Sequence, residues 1–288
     1  MCHSAMEENE LKALVSLIAD DDAAIQQHVE DKILQLGELA IPMLEKEWEM
    51  SMDSDVQKRI EDLIHIVQLR QLSARLLAWK EGEKQDLLEG LWLVATYQYP
   101  DLSFADLKNR LDELYYDVWL ELRSDMHPMD QIQAINNVLF NKKKLSSNTK
   151  NFHTPANSMI NIVLDSKRGN PISLCSIYIL VCQKLKIPVY GVNLPNMFIL
   201  TYKAEGLQFY INAFNRGVVF RKDDIDNYLE NLNLKPRDIF YEPCSHADII
   251  KRVLRNLMTA FEKTGDVDKL EEVENLLRLI IDPEDLEI

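Results

Sequence analysis

At 288 residues, 47% of them hydrophobic and with only 8 Gly and 10 Pro, the chain has the composition of a helix-rich globular protein and not of a disordered or fibrous one. Its formal charge of −15, from 47 acidic against 32 basic side chains, repels phosphate backbones and argues against nucleic acid as a partner. Four cysteines (Cys2, Cys175, Cys182, Cys244) are too scattered for a disulfide scaffold, and neither a basic-apolar leader nor a run of roughly 20 apolar residues is visible, so a cytoplasmic protein off the membrane is expected.

Taken in chain order, Glu10 to Ile18 and Ile25 to Leu36 carry apolar residues at three- and four-residue spacing and read as amphipathic helices. A third helix starts around Ala40 with Pro42 in its first turn, and Asp53 is placed to cap a fourth through Val56, Ile60 and Ile64. Helix, Gly-containing turn and Pro-started helix resemble one HEAT-type pair; a simple helical bundle fits the same residues. From Gln85 an apolar helix runs toward Tyr99. Another, with Asp101 and Ser103 at its start, extends past Leu122 and stops before His127-Pro128, and a third spans Met129 to Leu139. The polar stretch Asn141 to His153 reads as a long loop and carries the only compact basic run, Lys142 to Lys144, which lacks interleaved aromatics. The four tryptophans are expected mostly in the core.

The centre of the chain is richest in signals. Ser158 to Leu164 reads as helix, Arg168-Gly169-Asn170-Pro171 as a turn, and Ile172 to Leu185 as a strongly apolar helix. Strands are expected at Val189 to Leu194, Met197 to Tyr202 and Leu207 to Ala213, with a Glu205-Gly206 turn between the last two. A short helix reaches Leu229, and the helical pair His246 to Glu262 and Val267 to Leu279 closes the chain. The expected class is α+β, mostly helical, with residues 1–84 an N-terminal helical region, 85–235 a core and 236–288 a C-terminal hairpin.

Read residue by residue, Asn170 and Pro171 stand at a helix start, where unpaired N–H groups and the helix dipole permit an anion or oxyanion site. Cys175 and Cys182 are seven apart on one face and read as core cysteines; for Cys175 a reactive thiol is the competing reading. Cys244-x-His246 is a weak metal signal, and the remaining histidines show no ligand spacing.

The string Arg168-Gly169-Asn170-Pro171-Ile172-Ser173-Leu174, continued by Tyr178, Ile187-Pro188, Gly191 to Pro195 and Phe198, resembles the SirB-type branch of the transglutaminase-like superfamily. Tyr99-Pro100-Asp101, Asn136 to Asn141, Phe209 to Gly217 and the Arg252 to Leu257 helix extend the likeness, which covers roughly Gln85 to the end. It implies a papain-like core helix packed on a small antiparallel sheet, a tetratricopeptide-like hairpin downstream, and a Cys-His-Asp site. In this chain the nucleophile position falls at or near Pro171, with Ser173 and Cys175 nearby, the His position on Asn196 and the Asp position on Asn212. Amides have no titration near neutral pH and cannot serve as general bases.

Two functional readings lead, with a third beside the first. The first is a non-catalytic interaction protein, without cofactor or metal, whose helical hairpins present a groove to an unidentified protein or peptide; beside it stands a module that binds a small molecule or peptide in a remnant cleft containing Asn170, Ser173, Asn193, Asn196 and Asn212. The same asparagines, with Arg168 and Asn215, also read, and more simply, as turn and strand-end residues. The second is a cysteine-dependent amidohydrolase, protease or transglutaminase built on Cys175, whose base would have to be His153 or His246.

Overall fold

The structure, a computed structural model, describes residues 13–15, 17, 18, 20 and 22–282. Of the first expected helix, only 13–15 are described as helical, and the rest lies largely outside the described residues. The chain divides into two compact units, one ending at Arg75 and the other beginning at Leu76.

In the first unit, α1 (Ala23–Leu36) is capped by Asp22, which accepts from the Ala24 amide at 2.8 Å. Helix α2 (Ile41–Met50) carries Pro42 in its first turn, where the missing N–H costs nothing. Helix α3 (Ser54–Glu81) starts at Asp53, whose carboxylate accepts from the Asp55 amide at 2.9 Å. The apolar stripes of these helices meet in a core containing Val29, Ile33, Leu44, Ile60 and Leu63. Arg59 holds the preceding chain by donating to the carbonyls of Ile18 and Asp20.

The second unit is built round α8 (Pro171–Leu185), ten of whose fifteen residues are buried, so it is covered on nearly all sides. Helices α4 (Leu87–Thr96), α5 (Phe104–Trp119) and α7 (Ile160–Ser166) pack against it on one side, and α6 (Pro128–Asn136) reaches it through the Asn136–Tyr178 hydrogen bond. On the other lies an antiparallel meander of β3 (Val189–Leu194), β4 (Met197–Ala204), β5 (Leu207–Asn212) and β6 (Val218–Phe220). In register, Val192 opposes Ile199 and Tyr202 opposes Phe209, whose rings stack at 4.9 Å. The far face of the sheet is covered too: Val192, Leu194 and Ile199 pack with Ile225 and Leu229 of α9 (Lys222–Asn231) and with Phe240. Burial on both faces is why these strands read as near-continuous apolar runs. Helices α10 (His246–Thr264) and α11 (Val267–Ile280) form a hairpin turned at Gly265, φ +74°, and belong to this unit.

The predominantly helical fold with a small antiparallel sheet is therefore present, with three local corrections. The long loop contains β1 (Ser146–Ser147), which pairs in parallel with β2 (Arg168–Gly169), a segment expected to be a turn. Strand β6 was not expected at all. Strands of two or three residues have too little length for an alternation to show. Helix α5 ends at Trp119, short of Leu122, and Trp119 (55% exposed) and Trp48 (38%) lie outside the core that holds Trp79. No helix among the described residues is long and apolar enough to cross a membrane.

The turn into β6 is fixed by Asn136, whose amide donates to the Gly217 carbonyl at 2.8 Å and whose carbonyl accepts from Tyr178 Oη at 3.1 Å. A Cβ on Gly217, at φ +78°, would strike the Asn136 carboxamide, whereas one on Gly206, at φ +70°, would meet open space. Gly217→Ala should therefore cost about 3 kcal/mol and Gly206→Ala about 1 kcal/mol in urea unfolding followed by tryptophan fluorescence. Equal losses would mean that backbone conformation alone, and not the Asn136 bridge, sets the cost.

Candidate functional site

A helix buried like α8 must satisfy its first N–H groups internally, and Asn170 does this. Its Oδ1 accepts from the Ser173 amide at 3.0 Å, while Ser173 Oγ accepts from the Asn170 amide at 3.1 Å, a reciprocal cap worth about 1 kcal/mol. The Asn170 side-chain amide also donates to Ser158 Oγ at 2.9 Å, tying the helix start to the turn Pro155–Ser158. Asn170 and Ser173 are 5% and 2% exposed, so their polar groups are spent on this junction.

Beside this junction opens a cleft of about 230 Å³. One wall is the amino end of α8 at Asn170, Pro171 and Ile172; the next is the β3–β4 turn with Asn196 and Phe198. Phe152 and His153 come from the loop after β1, and Arg252, Asn256 and Thr259 from one face of α10.

Of the five residues expected in the cleft, Asn170 and Asn196 border it and Ser173, Asn193 and Asn212 do not; Pro171 and His153, singled out for other roles, line it as well. Asn196 occupies the second position of the two-residue turn Pro195-Asn196, at φ +58°, a left-handed conformation that Asn tolerates well. Its side chain is exposed at the lip. Asn212 caps the turn Ala213–Asn215, with Oδ1 accepting from the Asn215 amide at 3.0 Å. Asn193 lies behind the wall, where its Oδ1 accepts from Arg252 Nη1 at 2.6 Å.

Cys175 is fully buried one layer below the cleft. Its thiol points at the Phe198 carbonyl, 3.7 Å away, and the Ala213 amide bonds to the sulfur. Burial pushes this thiol far above the ordinary range, and Cys182 likewise. Burial and the nearby Asp248 carboxylate push Cys244 up to about 12. Neither histidine named as a base is shown beside Cys175. His153 lines the cleft against the Phe152 ring, and His246 is engaged by the Gln85 carbonyl at 2.9 Å and the Gln183 amide at 2.8 Å.

The sequence reading missed the contribution of α10. Arg252, Asn256 and Thr259 stand four and three apart between the buried Val253, Leu254 and Leu257, a polar stripe along the edge of the helix's buried face. That stripe was the available signal. Among the described residues, no group of three His, Cys, Asp or Glu is placed to hold a metal ion.

Residues 105–255 match the transglutaminase-like superfamily. The chain belongs to that superfamily. It is 31% identical to a UPF0162 protein of Xylella fastidiosa (strain 9a5c) over 206 residues, covering 67% of this chain and 71% of the relative. Against the UPF0162 protein YchA of Escherichia coli (strain K12) the identity is 25%, over 64% of this chain and 68% of the relative. Against the F-box only protein 21 of Homo sapiens it is 24%, over 63% of this chain and 33% of that much longer one. No solved structure matches. The matched region spans α5 to the middle of α10, so it includes the cleft walls contributed by α8 and the β3–β4 turn and, from α10, Arg252 but not Asn256 or Thr259.

The thiol environments give a direct expectation. In the folded protein Cys175 and Cys182 should react with iodoacetamide at pH 8 at least about a hundredfold more slowly than in urea, since a buried thiol raised in pKa has almost no thiolate. Peptide mass spectrometry resolves each site, and rapid native labelling of Cys175 would contradict the burial described above.

Proposed function

We propose that this transglutaminase-like protein is a non-catalytic binding protein that takes a segment of a protein or peptide in the cleft between α8, the β3–β4 turn and α10. The observation that carries the reading is the occupancy of the three positions used for chemistry in active members of the superfamily. Pro171 offers no nucleophile, and Asn196 and Asn212 offer amides that donate and accept hydrogen bonds but do not shuttle protons. The rim of the cleft that Pro171 and Asn196 border mixes Phe152, Asn196, Asn256 and Thr259, the blend of apolar and paired donor-acceptor groups suited to a peptide backbone.

The likeness to the SirB-type branch, with a tetratricopeptide-like pair in α10 and α11, and separately the HEAT-like pair near the start support an interaction role, which we place in the cytoplasm. The mammalian relative carries the shared stretch as a third of a longer chain, which is consistent with a module joined to other segments. Fold alone does not give function, and the cleft residues carry the argument.

The test pairs turnover with binding. Ammonia release from a blocked Gln-Gly dipeptide should be undetectable for the wild type and for Cys175→Ser. On an array of defined hexapeptides the full chain should retain a subset, and Thr259→Trp, an exposed position on the cleft rim, should reduce that retention about tenfold without lowering the melting temperature. Turnover abolished by Cys175→Ser would replace this reading with the cysteine-dependent enzyme.

A further inference from the structure

Arg252 is the one arginine bordering the cleft, and its hydrogen bonds are one-sided. Nη1 donates to Asn193 Oδ1 at 2.6 Å and to the Leu194 carbonyl at 3.1 Å, which uses both of its hydrogens. Among the described residues, Nε and Nη2 have no acceptor, and no carboxylate forms an ion pair with this guanidinium. Burial, and with it the like charge of Arg255, lowers the pKa of Arg252, while Asp248, one turn back on α10, bonds Ser245 and Lys251. A desolvated cation in this position is ordinarily matched by an acid.

The surroundings sharpen the point. Acidic residues are 47 of 288, a density that would place about two among thirteen residues, yet none of the thirteen residues lining the cleft is Asp or Glu. The other charge-capable group there is His153, and the amino end of α8 borders the cleft at Pro171 and Ile172 with the positive end of its dipole. In a chain of net charge −15, this is a locally positive, acid-free recess.

We propose that the cleft receives a carboxylate carried by a peptide, gripped side-on by Nε and Nη2 of Arg252, with the Asn256 and Asn196 amides on either side placed to bond the carboxylate or the adjoining backbone. This rests on the reading of the cleft as a peptide site and adds the chemistry it selects. Asn193 and the Leu194 carbonyl are positioning groups: they fix the fork by its far nitrogen and leave its bidentate edge presented, the geometry that matches a planar carboxylate. A single guanidinium in a recess of 230 Å³ suits one carboxylate better than a phosphate dianion, which would call for further cations. The carboxylate has two possible sources, a chain terminus or a Glu or Asp side chain.

Fluorescence polarisation with labelled alanine hexapeptides and the full chain separates the outcomes. One pair has a free or an amidated terminus; a second, amidated pair carries Glu or Gln at the fifth position. At least one carboxylate probe should bind about tenfold or more tightly than its amide twin, and which pair shows the preference identifies the source. Arg252→Gln should abolish the preference and Arg252→Lys should keep only part of it. Because Arg252→Gln also loosens the tie to β3, Asn256→Asp provides a second variant that leaves the Arg252 contacts in place and sets a competing carboxylate in the cleft; it should weaken the carboxylate probe about tenfold. Equal binding of carboxylate and amide probes overturns the carboxylate proposal and leaves the peptide cleft standing. Binding of neither overturns both.

Discussion

Helix α8 is buried along most of its length, and so its amino end cannot rely on water to satisfy its unpaired N–H groups. Everything near the cleft follows from how that demand is met. Asn170 closes the reciprocal cap with Ser173 and reaches across to Ser158, so one side chain sets where the helix begins and where the turn before α7 must lie. Pro171 at the first helical position adds a fixed backbone angle and removes an N–H that would have needed a partner. The helix start is then a rigid corner, and the sheet and α10 pack round it.

In the proposed reading this corner corresponds to the nucleophile position of active members. The residues that the resemblance matches to the three catalytic positions each have a structural occupation. Pro171 starts the helix, Asn196 takes the left-handed position of a hairpin turn, and Asn212 caps the turn after β5. The thiol nearest in sequence, Cys175, lies one turn further along α8 and is fully buried, with its sulfur toward the Phe198 carbonyl. The polar groups that line the recess are the Asn196 and Asn256 amides and the Thr259 hydroxyl, beside the His153 imidazole and the Arg252 guanidinium.

Helix α10 gives the recess its character. Its apolar face, with Ile250, Val253, Leu254 and Leu257 buried, anchors it to the core, and the residues left between them form the polar wall. Gly90 makes the close approach to this helix possible, since any Cβ there would collide with Trp79 and Ile250. Arg252 is held by β3 from behind, so the hairpin and the sheet share one hydrogen-bonded joint at the edge of the cleft.

The sequence by itself determined the elements whose causes are local. Asp53, Ser103 and Asn170 mark helix starts through bonds spanning two or three residues, Gly265 marks a helix end, and the apolar runs at Val189 to Leu194 and Met197 to Tyr202 define strands buried on both faces. It also carried the string that ties the chain to its superfamily, and with it the expectation that positions 171, 196 and 212 lack the usual chemistry. Only the tertiary structure decided what depends on residues far apart in the chain. Strands β1 and β2 exist because they find each other across some twenty residues, and neither is long enough to show a pattern alone. Asn193 was expected in the cleft and lies behind it, since its partner Arg252 is 59 residues away. The acid-free lining has no signature in any single segment, because loop, turn, α8 and α10 each contribute a few residues and the net charge of the whole chain points the other way. Local bonding is written in adjacent residues; the composition of a cavity is a property of the faces that packing brings together.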